Sequence, residues 1–211
     1  SSETNDKPDQ GYENSVTSAS IGTSFEQFRN VDLSLGLNAS YDDLRTNSSA
    51  SDSLKKQSGS YNEISGNYGL SFDSRNRPFM PTSGSILSIG QALPIYADKS
   101  FISNYLAASR YRSLTEDVVG ATKIYFSSVN GLGSDDVRLS KRKTISTRRL
   151  RGFEKNKVGP VDGKDHIGGN YVAALNFEAN LPNLLPEDTK TDISLFLDFA
   201  NVWGVDYDSA M

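Results

Sequence analysis

Nine of the 22 Lys and Arg residues in this 211-residue chain fall in one stretch: Arg138, Lys141, Arg142, Lys143, Arg148, Arg149, Arg151, Lys155 and Lys157. The formal net charge is −4. So much positive charge in one place must meet carboxylates, an anionic ligand or bulk water. Gly152 and Phe153 follow Arg151 directly, and Gly159-Pro160 and Gly163 then impose turns, so the stretch reads as a shaped hairpin. A shaped basic loop needs an acidic seat, and Glu178 and Asp198 stand on the two alternating segments that follow it. On adjacent antiparallel strands joined at 182–190 these carboxylates share one wall, where their like charges repel unless a cation lies between them. A guanidinium, with its planar fork of five donors, can serve both, and Arg151 is the candidate.

Other chemistry has little to work with. The chain has no Cys and one His, His166, which excludes disulfides, thiol nucleophiles and a zinc shell built from Cys and His. Paired carboxylates could do glycosidase chemistry, but Arg151 gives Glu178 and Asp198 a structural partner. No nucleophile elbow, nucleotide loop or metal-ligand cluster is present in the sequence, so no catalytic residue, metal or cofactor is assigned. His166 is expected to be exposed. Ten Tyr, ten Phe and one Trp are too many aromatics for a disordered chain.

The elements that position these residues have period two. Tyr171, Ala173, Leu175, Phe177, Ala179 and Leu181 alternate with a face that carries Asn176, Glu178 and Asn180. Ile193, Leu195, Leu197, Phe199 and Trp203 repeat the pattern opposite Ser194 and Asp198, and Val31 to Asp42 and Ile64 to Asp73 show it upstream. On 101–112, Phe101, Tyr105, Ala107 and Tyr111 form one face and Asn104, Arg110 and Arg112 the other, blurred by Ile102 and Leu106. About eight strands are expected, near 12–21, 26–45, 61–75, 84–93, 101–114, 118–130, 168–181 and 191–204, with no helix. Turns at 22–25, 76–83, 115–117 and 182–190 are shorter than the connections at 46–60 and 131–167.

Short turns on one rim and long loops on the other characterise an outer-membrane barrel. Polar faces rich in Asp, Asn and Ser suit a hydrated lumen better than a soluble surface, which would carry Lys and Glu in quantity. No stretch of about eighteen apolar residues exists to form a transmembrane helix, and the polar start does not read as a signal peptide. Tyr12, Tyr41, Tyr111 and Trp203, near strand ends, are expected in the interfacial girdles.

Three strings resemble a known family, the outer-membrane assembly factor BamA and its relatives. Leu150-Arg151-Gly152-Phe153, continued by Asn156 and Gly159-Pro160, is similar to that family's lumen-loop signature. Leu175-Asn176-Phe177-Glu178 and Leu197-Asp198-Phe199-Ala200-Asn201-Val202-Trp203 resemble its next two strands. Upstream, Asp73-Ser74-Arg75, with Pro78, Pro81-Thr82 and Gly84, resembles its D-x-R…P-T-x-G turn, where Asp73 and Arg75 read as turn-capping residues. Where relatives often have small residues before the arginine, Ser146-Thr147-Arg148-Arg149 stand here.

The resemblance implies an all-β fold: an antiparallel transmembrane β-barrel, here about eight strands of a sixteen-stranded one. Residues 1–211 would be a partial C-terminal barrel domain with lumen loop 131–167, lacking the transport-associated domains and terminal strands. It also implies that Arg151 is tucked inside against Glu178 and Asp198, and that the parent is a non-enzymatic insertase of the outer membrane, Gram-negative or alternatively organellar. Expected partners are the lipid bilayer, unfolded outer-membrane clients and accessory assembly lipoproteins, with no nucleic acid. The rival expectations are a polypeptide secretion transporter of the same superfamily, and a porin or soluble β-domain whose loop binds an anion.

Overall fold

The computed structural model describes residues 2–7, 11–163, 165–181 and 193–207. They form a nine-stranded antiparallel sheet: β1 (Ser2–Lys7), β2 (Tyr12–Phe28), β3 (Val31–Thr46), β4 (Gly59–Asp73), β5 (Gly84–Ala97), β6 (Phe101–Ser113), β7 (Val119–Gly131), β10 (Tyr171–Leu181) and β11 (Ile193–Trp203). Every strand pairs with its neighbour in sequence except where β10 follows β7. Between those two the chain leaves the sheet, makes the two-residue ribbon of β8 (Val161–Asp162) and β9 (Asp165–His166), and returns. The described strands do not close into a barrel.

Period-two alternation is why these segments are strands, and it sorts the two faces. Leu35, Leu37, Leu70, Phe72, Ile124, Phe177, Leu197 and Phe199 all lie on the outward face and are exposed. A soluble domain hides such residues; here the contiguous apolar face is the outside, as lipid requires. Buried clusters lie on the other face, at the long-loop rim: Tyr12, Leu44, Ala50 and Leu54; Phe101, Val129 and Val137; and Ile145, Leu150, Val172, Ala174 and Val202. No helix among the described residues is long and apolar enough to cross a membrane, which says nothing of crossing by strands. Leu197→Arg, near the middle of β11, is expected to oppose insertion by about 2–4 kcal/mol, read as the shift in a denaturant refolding titration into lipid vesicles.

Several expectations are corrected. The polar start contains β1, paired with β2 from Ser2↔Thr17 to Lys7↔Tyr12, because ladder hydrogen bonds need no apolar side chain. Residues 22–25 are strand, and the turn falls at Arg29-Asn30, with Asn30 in the left-handed region (φ 64°) and its N–H bonded to Glu26 Oε1 at 3.1 Å. The polar loop after β3 holds a short helix, α1 (Asp52–Lys56), capped by Ser51 and pinned by buried Leu54. Tyr12 is in the inner cluster with Leu54, not in a girdle. Tyr111 also turns inward, towards Arg75.

On β6 the face of Phe101, Tyr105, Ala107 and Tyr111 is the inner one. The pairs Leu106↔Phe126 and Ala108↔Ile124 set the opposite face outward. Room for the inward ring comes from Gly90, where a Cβ would stand 2.3 Å from Tyr105 Cε1. The 182–190 turn lies outside the described residues.

Candidate functional site

The chain between β7 and β10 folds back over the inner face. Lys143 and Gly169 bridge its two ends through N–H···O bonds of 2.7 and 3.0 Å. Ile167 N–H bonds to Pro160 O at 3.1 Å, closing the β8–β9 ribbon. Leu150 is buried against Val172 and Val202 and anchors the segment just before Arg151. Gly159 passes so close to the wall that a Cβ would lie 2.8 Å from Val202 Cβ, and its φ of 115° suits only glycine. Gly152 and Phe153 continue into an exposed turn.

Arg151 is held on every side. Its backbone N–H and Nε both donate to Asp198 Oδ2, at 3.0 and 2.8 Å, and Nη2 donates to Asp198 Oδ1 at 2.6 Å. Nη1 lies 2.8 Å from Glu178 Oε1. The guanidinium carbon sits 3.8 Å from the centroid of the Phe196 ring. Two neighbours complete the cluster: Lys123 Nζ meets Glu178 Oε2 at 2.6 Å, and Asn176 Nδ2 donates to Asp198 Oδ1 at 2.8 Å and to Arg149 O at 2.7 Å. Two cations thus face two carboxylates. The register explains the geometry: Asn176 pairs with Asp198 and Glu178 with Phe196, so the carboxylates stand diagonally on one face. Hydrogen bonding to Asp198, with the charges of both carboxylates, holds the Arg151 guanidinium above its ordinary pKa.

Four other loop cations find wall partners too, while Arg148, Lys155 and Lys157 are exposed. Arg138 Nη2 is 2.6 Å from Asp42 Oδ2 on β3, with both side chains at least nine-tenths buried, and its guanidinium carbon lies 3.7 Å from the Tyr61 ring centroid. Ser140 also bonds Asp42, and Lys141 pairs with Glu63 on β4. Lys143 Nζ donates to Ser103 Oγ on β6 at 2.6 Å, and Arg149 covers the Tyr125 ring on β7 at 3.6 Å. Burial pushes the pKa values of Arg138 and Lys143 down. Arg142 is buried with none of its three side-chain nitrogens hydrogen-bonded, its guanidinium carbon 5.2 Å from the centroid of the Tyr207 ring. His166 is half-buried in β9, not exposed, with Nδ1 unbonded.

Arg151, Glu178 and Asp198 are therefore brought together, with Leu150 buried next to Arg151 and Pro160 buried elsewhere in the same loop, against Ile167. The turn motif is not part of this cluster. It lies at the opposite rim, between β4 and β5, where Arg75 clasps Asp73 (Nε–Oδ1 2.9 Å, Nη2–Oδ2 2.6 Å) and donates from Nη1 to Pro78 O at 3.2 Å. That carboxylate holds the Arg75 pKa up. Asn76 Oδ1 accepts from the N–H of Thr82 and Ser83 around Pro81, and Gly84 opens β5. Sequence reasoning missed Asp42 and Glu63 as seats, and Asn176, Lys123 and Phe196 as neighbours of Arg151. Asp42 and Glu63 left one signal: carboxylates at inward positions of alternating strands.

A meander of long two-faced strands, apolar outside and carrying a charged loop against its polar inner face, is the wall of a transmembrane β-barrel. The chain belongs to the Omp85 superfamily, whose domain matches residues 1–210. It is 29% identical over 123 residues to sorting and assembly machinery component 50 homolog A of Xenopus laevis, covering 57% of this chain and 26% of that protein. It is 23% identical over 207 residues to outer membrane protein assembly factor BamA of Neorickettsia risticii, covering 96% of this chain and 28% of that protein. The crystal structure of BamA from Haemophilus ducreyi lacking POTRA domains 1–3 superimposes with a TM-score of 0.79 over 92% of this chain and 42% of that one, at 23% identity. The chain thus spans between a quarter and a third of the length of these curated relatives.

Proposed function

We propose that this chain is a partial C-terminal barrel domain of an insertase, a non-enzymatic protein that assists β-barrel proteins to fold into an outer membrane. The observation that carries the reading is the match of residues 1–210 to the superfamily, together with relatives named as a sorting and assembly machinery component and as an outer membrane protein assembly factor. The physical sense is direct. A membrane core tolerates no unpaired backbone, and a strand edge is a template for pairing, so a barrel that offers an edge lowers the cost of inserting another. The loop 131–167, pinned by Arg151 to Glu178 and Asp198, stiffens the inner wall. Clients would be unfolded outer-membrane proteins, and accessory assembly lipoproteins would be the further partners. The membrane would be that of a Gram-negative bacterium or, alternatively, of an organelle. Secretion and passive diffusion are less favoured because the relatives found carry assembly names.

The test is reconstitution of the complete barrel protein in lipid vesicles, followed by addition of a urea-unfolded small outer-membrane barrel. Heat-modifiable migration on a gel reports folded client. A several-fold faster appearance of folded client than in empty vesicles is expected; equal rates would overturn the proposal.

A further inference from the structure

Arg142 has extended backbone angles (φ −61°, ψ 152°), and along an extended chain the side chains that flank a residue project together, away from its own. Lys141 and Lys143 therefore reach the same part of the inner wall, while Arg142 turns to Tyr207. The backbone fixes this arrangement, because the N–H and C=O of Lys143 are both tied to Gly169. Beneath the two lysines lies a cavity of about 270 Å³, walled by β3, β4, β5, β6 and β7. One water takes up about 30 Å³ in the liquid, so the cavity has room for a polyatomic ion.

The charges on this cavity do not balance. Lys141 is paired with Glu63 on β4. Lys143 has no carboxylate: among the described residues its side chain bonds to Ser103 Oγ, at 2.6 Å. Two ammonium groups thus share one carboxylate. The walls from β5, β6 and β7 bring no charge to the cavity, and Asp42, two inward positions beyond Asn38 on β3, already serves Arg138. What the walls do supply is hydrogen-bonding groups. Ser65 is 6% exposed and lines the cavity, and its hydroxyl has no hydrogen-bond partner among the described residues. The side-chain amides of Asn38 and Asn67, also in the lining, have none there either. A buried polar group without a partner is costly, and an ammonium without a counter-charge is more so. Burial, and then the charge of Lys141, pushes the Lys143 pKa down.

We propose that this cavity binds one small oxyanion of the sulfate or phosphate class, held by the ammonium groups of Lys141 and Lys143 and by the side chains of Ser65, Asn38 and Asn67. Such an ion supplies the missing negative charge, which water does not, and its several oxygens meet donors from several walls at once. It ties the loop to β3 and β4 beside the direct contacts already described. Lipid headgroups are not the occupant, since the cavity lies on the inner face and the bilayer meets the outer one. A proton linkage follows. The bound anion favours protonated Lys143, so affinity is full at low pH and falls as the pH rises above the lowered pKa of Lys143. The site needs only the seated loop and does not depend on insertase activity.

Sulfate is the probe, because its own charge stays constant through the range in which lysine titrates. Radiolabelled sulfate is brought to equilibrium by dialysis with the complete barrel in micelles of an uncharged detergent. The expected result is a single saturable sulfate that weakens several-fold as the pH rises from about 6 towards the ordinary lysine pKa of about 10.4. Lys143→Met should abolish this binding, and Ser65→Val should weaken it several-fold. Lys143→Arg carries its charge at every pH in the range, so it should retain sulfate and lose the pH dependence, which a merely structural lysine would not produce. Lys155→Met, at an exposed cation of the same loop, should bind as the parent protein does. Heat-modifiable migration reports that each variant is folded, and where Lys143→Met fails to fold, Lys143→Arg and Ser65→Val decide. Absence of saturable sulfate from the parent barrel overturns the site, as does binding that survives Lys143→Met unchanged. A parent without pH dependence, or an unaltered dependence in Lys143→Arg, overturns the part given to Lys143. Displacement of sulfate by chloride as readily as by phosphate overturns the oxyanion assignment. Each of these failures leaves the insertase reading intact.

Discussion

Arg151→Ala in the complete barrel is expected to destabilise the seated loop by about 2–3 kcal/mol, below the roughly 3–5 kcal/mol lost when a fully buried pair is broken. The lower figure follows from the site: the Arg151 side chain keeps 26% of its surface exposed, whereas Asp198 keeps 4%. Alanine removes all four donations to the wall carboxylates except the backbone N–H. It leaves Glu178 with Lys123 and Asp198 with Asn176. Arg151→Lys should recover only part of the loss, because one ammonium cannot reproduce the planar fork that spans both carboxylates and lies on Phe196. Arg142→Met provides the contrast. That guanidinium is buried without a hydrogen bond and has only the Tyr207 ring, 5.2 Å away, to offset its desolvation, so replacing it with an apolar side chain should be neutral or stabilising. Midpoints of urea unfolding in vesicles, with client-folding rates beside them, check the order. Equal midpoints for Arg151→Ala, Arg142→Met and the parent protein would remove Arg151 from its place as anchor.

That anchor could be read from the sequence because two local rules coincide. Glu178 and Asp198 occupy polar positions of strongly alternating strands, and the strands are consecutive, so pairing and face follow from periodicity alone. The basic stretch supplies a cation close by in the chain. Asp42 and Glu63 obey the same periodicity, yet their partners Arg138 and Lys141 lie 96 and 78 residues away. No local rule pairs residues at that separation, and β3 also offers Asp32 on the same face.

Turn positions failed for a related reason. Gly22, Thr23 and Ser24 have turn chemistry, but the outward sequence Ala19, Ile21, Thr23, Phe25 continues through them, and pairing with β3 prevails over propensity. The strand β1 was hidden because its polar residues carry no facial pattern. On β6 both faces carry aromatic or apolar residues, so only the glycine at position 90 on the neighbouring strand reveals which face is inner.

The largest effect should come from the pair the sequence concealed. Asp42→Ala strips the single carboxylate from Arg138, whose side chain is 9% exposed, and leaves a charge whose pKa burial already pulls down. Breaking such a pair by removing one partner costs about 3–5 kcal/mol. The Tyr61 ring and the distant Asp42 carbonyl, at 3.5 Å, can compensate only in part. The same substitution deprives Ser140 of its acceptor, so the segment Arg138–Lys141 loses two of its ties to the wall at once. Asp42→Asn keeps an acceptor oxygen for both donors and should cost less than half as much, which separates the charge from the hydrogen bonds. The stretch contains nine trypsin sites between Arg138 and Lys157, so release of the loop is directly visible. In the vesicle-embedded barrel, trypsin should cut within this stretch several-fold faster in Asp42→Ala than in Asp42→Asn or the parent protein. Cleavage at the parental rate would show that Arg151 and its two carboxylates hold the loop without help from β3.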